Sequence, residues 1–550
     1  MDLIKKREEI LIQNRIKFFK GVDQDDYLYD ALSQNIYPVP KYVVSFFSKN
    51  SIDIGSDSVS EMLDSFCDKL LSYTDKKVFK RAPETHLTIN FSNKCNLNCS
   101  YCYRHKNNKN TMNLQKAFEV IDYADKYFKM NNDEIIFSVD MTGESLLDYE
   151  QIIQFDDKLA EYENLYIEEK EIKNIIPLDF LKVLISDLYK GEEYKFDLNN
   201  PIPKNLEQII LDSQLHNRFI DKDSINQILQ KGNYDPMFLD KKRLLRLNRE
   251  LLETFYSDYL EHKDYQQFRI WFMSNGTRIT QKEIELIKKI RIEPFWISLD
   301  GPEDVHNKNR KYYDNKGSYS DVIKGIKLLQ ENNINVKISC VLTADYPYPD
   351  KLLTYFKSLG ISAIQMCPIR NGCPSSFSEE SLAELLTSYD RLYQMLFDEA
   401  QKGDFSSFEL LSEDMSMIAF CNLFGRIRQS GRCTWGDEVI IDNAGDLYPC
   451  LYVIGNEKYK LGNMNEKKNS QELLKPISVN DVDKCKTCWG RYICGGTCHY
   501  NSIVNDKSVY STDEIECKIR NYAISKSISL IIKFKETKTN FTKLQKIFGY

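Results

Sequence analysis

Residues 93–104 read Asn-Lys-Cys-Asn-Leu-Asn-Cys-Ser-Tyr-Cys-Tyr-Arg, a polar loop carrying Cys95, Cys99 and Cys102 in the spacing C-x3-C-x2-C. That spacing lets one loop cover three corners of a cubic 4Fe–4S cluster, for which cysteine thiolates are the usual ligands. Three ligands leave the fourth iron open to a substrate or cosubstrate, so the loop implies chemistry as well as structure. Half of a zinc site is the competing reading. Zinc sites more often pair two C-x2-C units, or Cys with His, at regular spacing.

The remaining cysteines sharpen the choice. The chain has 550 residues and 15 cysteines, and 10 of those fall into two constellations. Nothing in the charged N-terminal stretch, residues 1–20, resembles a secretory signal. No run approaches the length a membrane-spanning helix needs. A cytoplasmic protein without membrane association is therefore expected, and in a reducing cytosol clustered cysteines point to metal rather than disulfides. A hydrophobic content of 42% supports a large globular core of two to four domains. The net charge of -7 argues against a nucleic-acid partner.

Six short apolar runs recur from residue 85 onward, alternating with helical patterns: 85–92, 134–141, 268–275, 294–300, 335–343 and 363–370. The expected fold class is α/β, with a partial (β/α)6 TIM-type barrel at residues 83–375. Function should lie at the C-terminal ends of its strands, and the cysteine loop directly follows the first. A charged helical insertion at 146–266 interrupts the barrel. Residues 1–82 read as a small α+β module with an aromatic hairpin turning near Ser33–Asn35, then two helices. A bridge and a cysteine-rich domain occupy 376–520, and a basic helical tail 521–550.

The loop and its flanks resemble the radical S-adenosylmethionine (SAM) enzymes. In that family the open iron is chelated by the amino and carboxylate groups of SAM. An electron from the cluster then releases a 5′-deoxyadenosyl radical. Thr142-Gly143-Glu144-Ser145, after the second strand, resembles the family's GGEP loop, departing from it at Thr142 and Ser145. The resemblance implies that Thr142, Gly143 and Glu144 receive the SAM amino group. Residues 297–310, ISLDGPEDVHNKNR, resemble the fourth-strand motif of SPASM-containing members. By that likeness Ser298 touches the ribose or carboxylate of SAM, Arg310 pairs with the carboxylate, and Tyr101 lies against the SAM site. Ser274 and Asn275 either face the substrate or form a plain turn.

The second constellation matches the SPASM pattern. Cys433 precedes Gly445 and Cys450, followed by Cys485, Cys488, Cys494, Cys498 and Cys517. The resemblance implies two auxiliary 4Fe–4S clusters, three in all with the SAM-binding one. Cys485, Cys488, Cys494 and Cys517 would hold the outer cluster; Cys433, Cys450 and Cys498 would give three ligands to the inner one. Cys421 could supply the fourth, or that iron stays open to a substrate thiolate. Cys67 and Cys340 read as core residues, whereas Cys367 and Cys373 near the barrel mouth are either bland thiols or hydrogen donors.

The likeness to maturases of ribosomally synthesised peptides implies a precursor-peptide substrate and an electron donor such as flavodoxin or ferredoxin. The N-terminal module resembles leader-peptide recognition modules, though a plain capping role explains it equally. The expected reaction is hydrogen abstraction from the peptide followed by a thioether or carbon–carbon crosslink. A peptide epimerase, a sulfatase-maturase-like oxidase and a non-catalytic zinc protein are the alternatives. The sulfatase-maturase branch has an Asp immediately after the second SPASM cysteine, where this chain has Leu451.

Overall fold

The computed structural model describes residues 3–48, 57–73, 84–89, 94–102, 112–128, 134–138, 143–147, 149–158, 273–288, 295–423, 435–436, 438–468, 470–473, 475, 477–506, 508–538 and 541–548, with single residues 230 and 247. Thr142, Cys433 and nearly all of the expected insertion lie outside the described residues.

At the N-terminus, β1 (Ile16–Lys20), β2 (Asp26–Asp30) and β3 (Asn35–Val39) form an antiparallel sheet in that order. The helices Leu3–Ile12, Lys41–Ser48 and Asp57–Leu71 surround it. The hairpin β2–β3 and the two following helices stand where the sequence indicates. Strand β1 and the first helix are additions, the strand hidden in sequence by Lys17 and Lys20 within its five residues. Buried Arg15 joins the parts: it is bidentate to Asp30, with Nη2 2.9 Å from Oδ2, and also donates to the Leu70 carbonyl.

The six expected barrel strands are all present: β4 (Glu84–Ile89), β5 (Glu134–Ser138), β6 (Met273–Ser274), β7 (Phe295–Ser298), β8 (Val336–Leu342) and β9 (Ala363–Pro368). Every pairing described among them is parallel, β4 with β5 and then β6-β7-β8-β9 in order. Strand β8 buries alternate side chains, whereas β7 buries three of its four; β7 is the more fully enclosed, and its run is accordingly almost purely apolar. Cys340 is fully buried on β8, and Cys67 is fully buried in the N-terminal helix Asp57–Leu71, both as core residues.

Beyond the barrel, β10 (Glu438–Ile441), β11 (Asp446–Tyr448) and β12 (Gly462–Asn463) form an antiparallel meander. Gly445 turns its first hairpin at φ 83°, where a Cβ would stand 2.8 Å from Met464. Strand β10 pairs in parallel with β4, so this meander continues the barrel sheet. A long helix runs Glu514–Glu536, capped by Asp513, and packs against the helix Glu379–Gln401; a short helix, Phe541–Phe548, follows it. The expected start of a tail at 521 falls inside the long helix. Its apolar residues Ile524, Ile528, Ile532 and Phe534 are wholly buried, which explains its hydrophobic run without a membrane. No helix among the described residues is long and apolar enough to cross a membrane.

Candidate active site

The cysteine loop is stitched to the segment after β7. Asn98 N donates to the Lys311 carbonyl at 2.7 Å, Ser100 N to the Asn309 carbonyl at 3.0 Å, and Leu97 bridges Tyr312. Ser100 Oγ adds a 2.7 Å bond to Asn309 Oδ1. Directly below, Asp300 organises the site. Arg310 grips its carboxylate through Nε at 2.9 Å and Nη2 at 3.1 Å, while Val341 N and the Tyr101 hydroxyl also donate to it. The Arg310 guanidinium lies 5.4 Å from the Tyr101 ring centre. Burial alone would raise the Asp300 carboxyl; the adjoining Arg310 outweighs it and holds the group below the usual carboxylate range.

His306 closes this network. Its Nδ1 accepts from Asp300 N at 3.3 Å, and its Nε2 meets Ser318 Oγ at 3.0 Å. Because Ser318 Oγ donates to the Arg310 carbonyl, Nε2 is assigned the proton and the ring is neutral. Burial lowers His306 to about 4. Between pH 6.5 and 4 the unfolded chain therefore binds a proton that the folded chain refuses, and stability falls with pH across that window. The full loss is about 3 kcal/mol. The urea midpoint should drop from pH 7 to pH 4.5, and less so in His306→Gln; equal drops in both would refute this assignment.

On the opposite side, Gly143 presses against the peptide before Cys95. A Cβ at 143 would lie 1.9 Å from the Lys94 oxygen, so only glycine fits. Glu144 N donates to that same oxygen at 2.7 Å. The Glu144 side chain is wholly buried and accepts from Ser274 Oγ at 2.6 Å, Asn275 N at 2.6 Å and Leu146 N at 3.2 Å. Burial raises its pKa, opposed by these bonds. Asn275 Nδ2 reaches Asn96 Oδ1 at 2.9 Å and lies 3.8 Å from Cys95 Sγ. The loop 274–277 thus braces the cysteine loop. Ser298 stands half-buried at the end of β7.

The thiols suit a cluster. Burial pushes Cys99 up to about 11, and Cys450, Cys485 and Cys517 up to about 12, so metal binding must displace protons. Cys485, Cys488, Cys494 and Cys517 influence one another through space, as do Cys450 and Cys498. Among the described residues no three His, Cys, Asp or Glu side chains could hold a single ion.

A buried ion pair links Cys498 and Cys494. Glu516 accepts from Cys498 N at 3.0 Å and from Arg520 Nε at 2.8 Å, and Arg520 Nη1 reaches the Cys494 carbonyl at 3.4 Å. Cys421 sits in the barrel-side core with its thiol 3.8 Å from the Ser412 carbonyl.

The end of β9 connects barrel and auxiliary region. Asn371 bonds Asn501 Oδ1 at 3.1 Å and Asp513 Oδ2 at 2.6 Å. Cys373 Sγ lies 3.7 Å from the Tyr101 carbonyl, and Tyr500 feels Cys373, Cys450 and Cys498 together. Cys367 is half-buried on β9.

Comparison with known proteins accords with this geometry. The chain is 25% identical over 279 residues to the cysteine-type anaerobic sulfatase-maturating enzyme of Clostridium novyi, covering 48% of this chain and 72% of that enzyme. The chain is homologous to radical SAM enzymes. Against the serine-type anaerobic sulfatase-maturating enzyme of Bacteroides thetaiotaomicron, identity is 27% over 284 residues, covering 45% of this chain and 66% of that enzyme. Native anSMEcpe with bound AdoMet has the same fold, at TM-score 0.52 and 15% identity over 82% of this chain and 99% of that one. No family model matches. The chain thus has relatives in the branch that Leu451 argues against. A SAM-binding 4Fe–4S cluster and SAM itself follow from the family; a purely structural zinc protein does not.

Sequence reading located the cysteines and strand ends but missed the bracing roles of Asp300, His306 and Ser318. Asp300 and Glu144 are both carboxylates placed just beyond strand ends. Each is saturated with hydrogen bonds from its own neighbours, which argues for positioning the site rather than moving protons. Arg310 is likewise committed to Asp300 through two of its nitrogens.

Proposed function

We propose that this radical SAM enzyme is a SPASM maturase that oxidatively crosslinks a ribosomally made precursor peptide. The observation carrying this reading is Cys373, whose sulfur lies 3.7 Å from the Tyr101 carbonyl and whose charge, like those of Cys450 and Cys498, would act on Tyr500. A substrate held there would lie between the SAM loop and the inner auxiliary cysteines. When bound, the SAM-site cluster and SAM supply the hydrogen-abstracting radical. One hydrogen then leaves to the deoxyadenosyl group and a second as a proton. The surplus electron goes to an auxiliary cluster as the thioether or carbon–carbon bond closes.

In this proposal Cys95, Cys99 and Cys102 hold the SAM cluster. Cys485, Cys488, Cys494 and Cys517 hold the outer auxiliary cluster, with Cys433, Cys450 and Cys498 on the inner one. Gly143, Ser298 and Tyr101 border SAM. The outer edge of β3 offers a strand-addition site for a leader peptide, with Pro38 interrupting the donors along it. A flavodoxin or ferredoxin delivers the first electron.

Anaerobic coexpression with the short peptides encoded beside the gene tests this. Loss of two hydrogens per event, absent with Cys99→Ala, is expected from intact mass. The position of Cys373 beside the SAM loop favours a second reading, an epimerase in which that thiol returns hydrogen. Unchanged mass with deuterium uptake in heavy water would select it. No change in either solvent would overturn both.

A further inference from the structure

The docking of the N-terminal sheet carries a consequence for the outer cysteine quartet. Phe19 and Tyr29 pack edge-on against Trp489, with ring centres 6.1 and 6.0 Å away. Lys17 Nζ stands 4.0 Å from the centre of the same indole. Trp489 directly follows Cys488, and the surrounding core mixes Phe19, Tyr29, Ala31 and Leu32 with Cys485, Tyr492, Ile493 and Cys494. Asn14 Nδ2 donates to the Thr487 carbonyl, and Arg491 Nη1 reaches the carbonyls of Gln13 at 3.4 Å and Cys488 at 2.9 Å.

Two donors inside this contact are left over. Tyr29 is fully buried and Arg491 is 4% exposed. Yet the Tyr29 hydroxyl and Arg491 Nε have no hydrogen-bond partner among the described residues. Leaving a buried donor orphaned is destabilising, so two in one contact need an acceptor. Cys488 is at hand: a charge on its sulfur would act on both Tyr29 and Lys17.

We infer that the Tyr29 hydroxyl and Arg491 Nε–H donate to the sulfur atoms of the outer auxiliary cluster, making the N-terminal module part of that cluster's environment. The inference rests on the proposal that the Cys485 quartet binds a cluster. Donors to cluster sulfurs stabilise the reduced, more negative state and so raise its potential. Tyr29 is then a positioning and tuning residue, and the module does more than bind or cap.

Tyr29→Phe tests this cleanly, because it keeps the ring against Trp489 and removes only the hydroxyl. In anaerobically reconstituted holoenzyme, an EPR-monitored redox titration should show the outer cluster about tenfold harder to reduce, a 59 mV fall for one electron. Tyr37→Phe, on β3 and bonded to Ser33, should leave the potential unchanged. The apoprotein of Tyr29→Phe should melt no lower than the parent, since the lost hydroxyl had no partner. An unshifted potential with full iron content would overturn the inference alone. Iron that is unaffected when Cys485 and Cys517 are replaced by alanine would instead overturn the underlying cluster assignment. A melting temperature clearly below the parent's would show that the hydroxyl has a protein partner, and would also overturn the inference.

Discussion

Replacing Asp300 with alanine should destabilise the protein by about 3–5 kcal/mol, the usual result of leaving a buried charge without its partner. Arg310 is 8% exposed, and its two bonds to Asp300 are the fixed point of the loop that bears Asn309 and Lys311. Those two residues in turn hold Ser100 and Asn98 of the cysteine loop. Tyr101 loses its hydroxyl acceptor at the same time. The damage should therefore reach iron bound at the Cys95 loop, lowering the iron content of the chain. Denaturant titration and iron content per chain measure both effects. Asp300→Asn keeps the shape and loses the charge, and should fall between the two. Wild-type iron and stability in Asp300→Ala would show that the cysteine loop is held by its backbone bonds alone.

Gly143→Ala should have the opposite balance, with modest thermodynamic cost and a large catalytic one. The added methyl would have to move the Lys94 peptide, whose oxygen lies 1.9 Å from the built Cβ. Overpacking of this kind costs about 1–3 kcal/mol. Cys95 is the next residue, so the displacement passes directly to a thiol proposed to hold the SAM-site cluster. Misplacing a reacting group by about 1 Å can cost about a hundredfold in rate. Formation of 5′-deoxyadenosine should fall by that order. A rate within severalfold of wild type would mean that the loop after β5 does not set the position of Cys95.

Much of the molecule is legible in its sequence because the decisive signals are local. Each barrel strand is a short apolar run, and β8 shows its alternation residue by residue. The cysteine spacings survive any uncertainty about the elements between them. What escapes is whatever depends on distant partners. Glu144 follows a strand as a SAM contact would, yet its oxygens are occupied by Ser274 and Asn275, about 130 residues later. Asp300 resembles a free acid at a strand end until Arg310 and Tyr101 are seen to share it. Nothing in residues 15–30 announces that Tyr29 will pack on Trp489, since that pairing is fixed only by docking one unit on another.

The parallel pairing of β4 with β10 also sets a schedule for the chain's synthesis. Thr88 of β4 bonds Glu438 of β10 across 350 residues. At roughly 5–20 residues per second, β4 leaves the ribosome about 20–70 s before its neighbour exists. For that interval one edge of the first barrel strand is an open template for any other extended chain. Nascent copies on one messenger thus carry their greatest risk of mutual pairing midway through translation, and any fragment ending before residue 438 would keep that risk permanently.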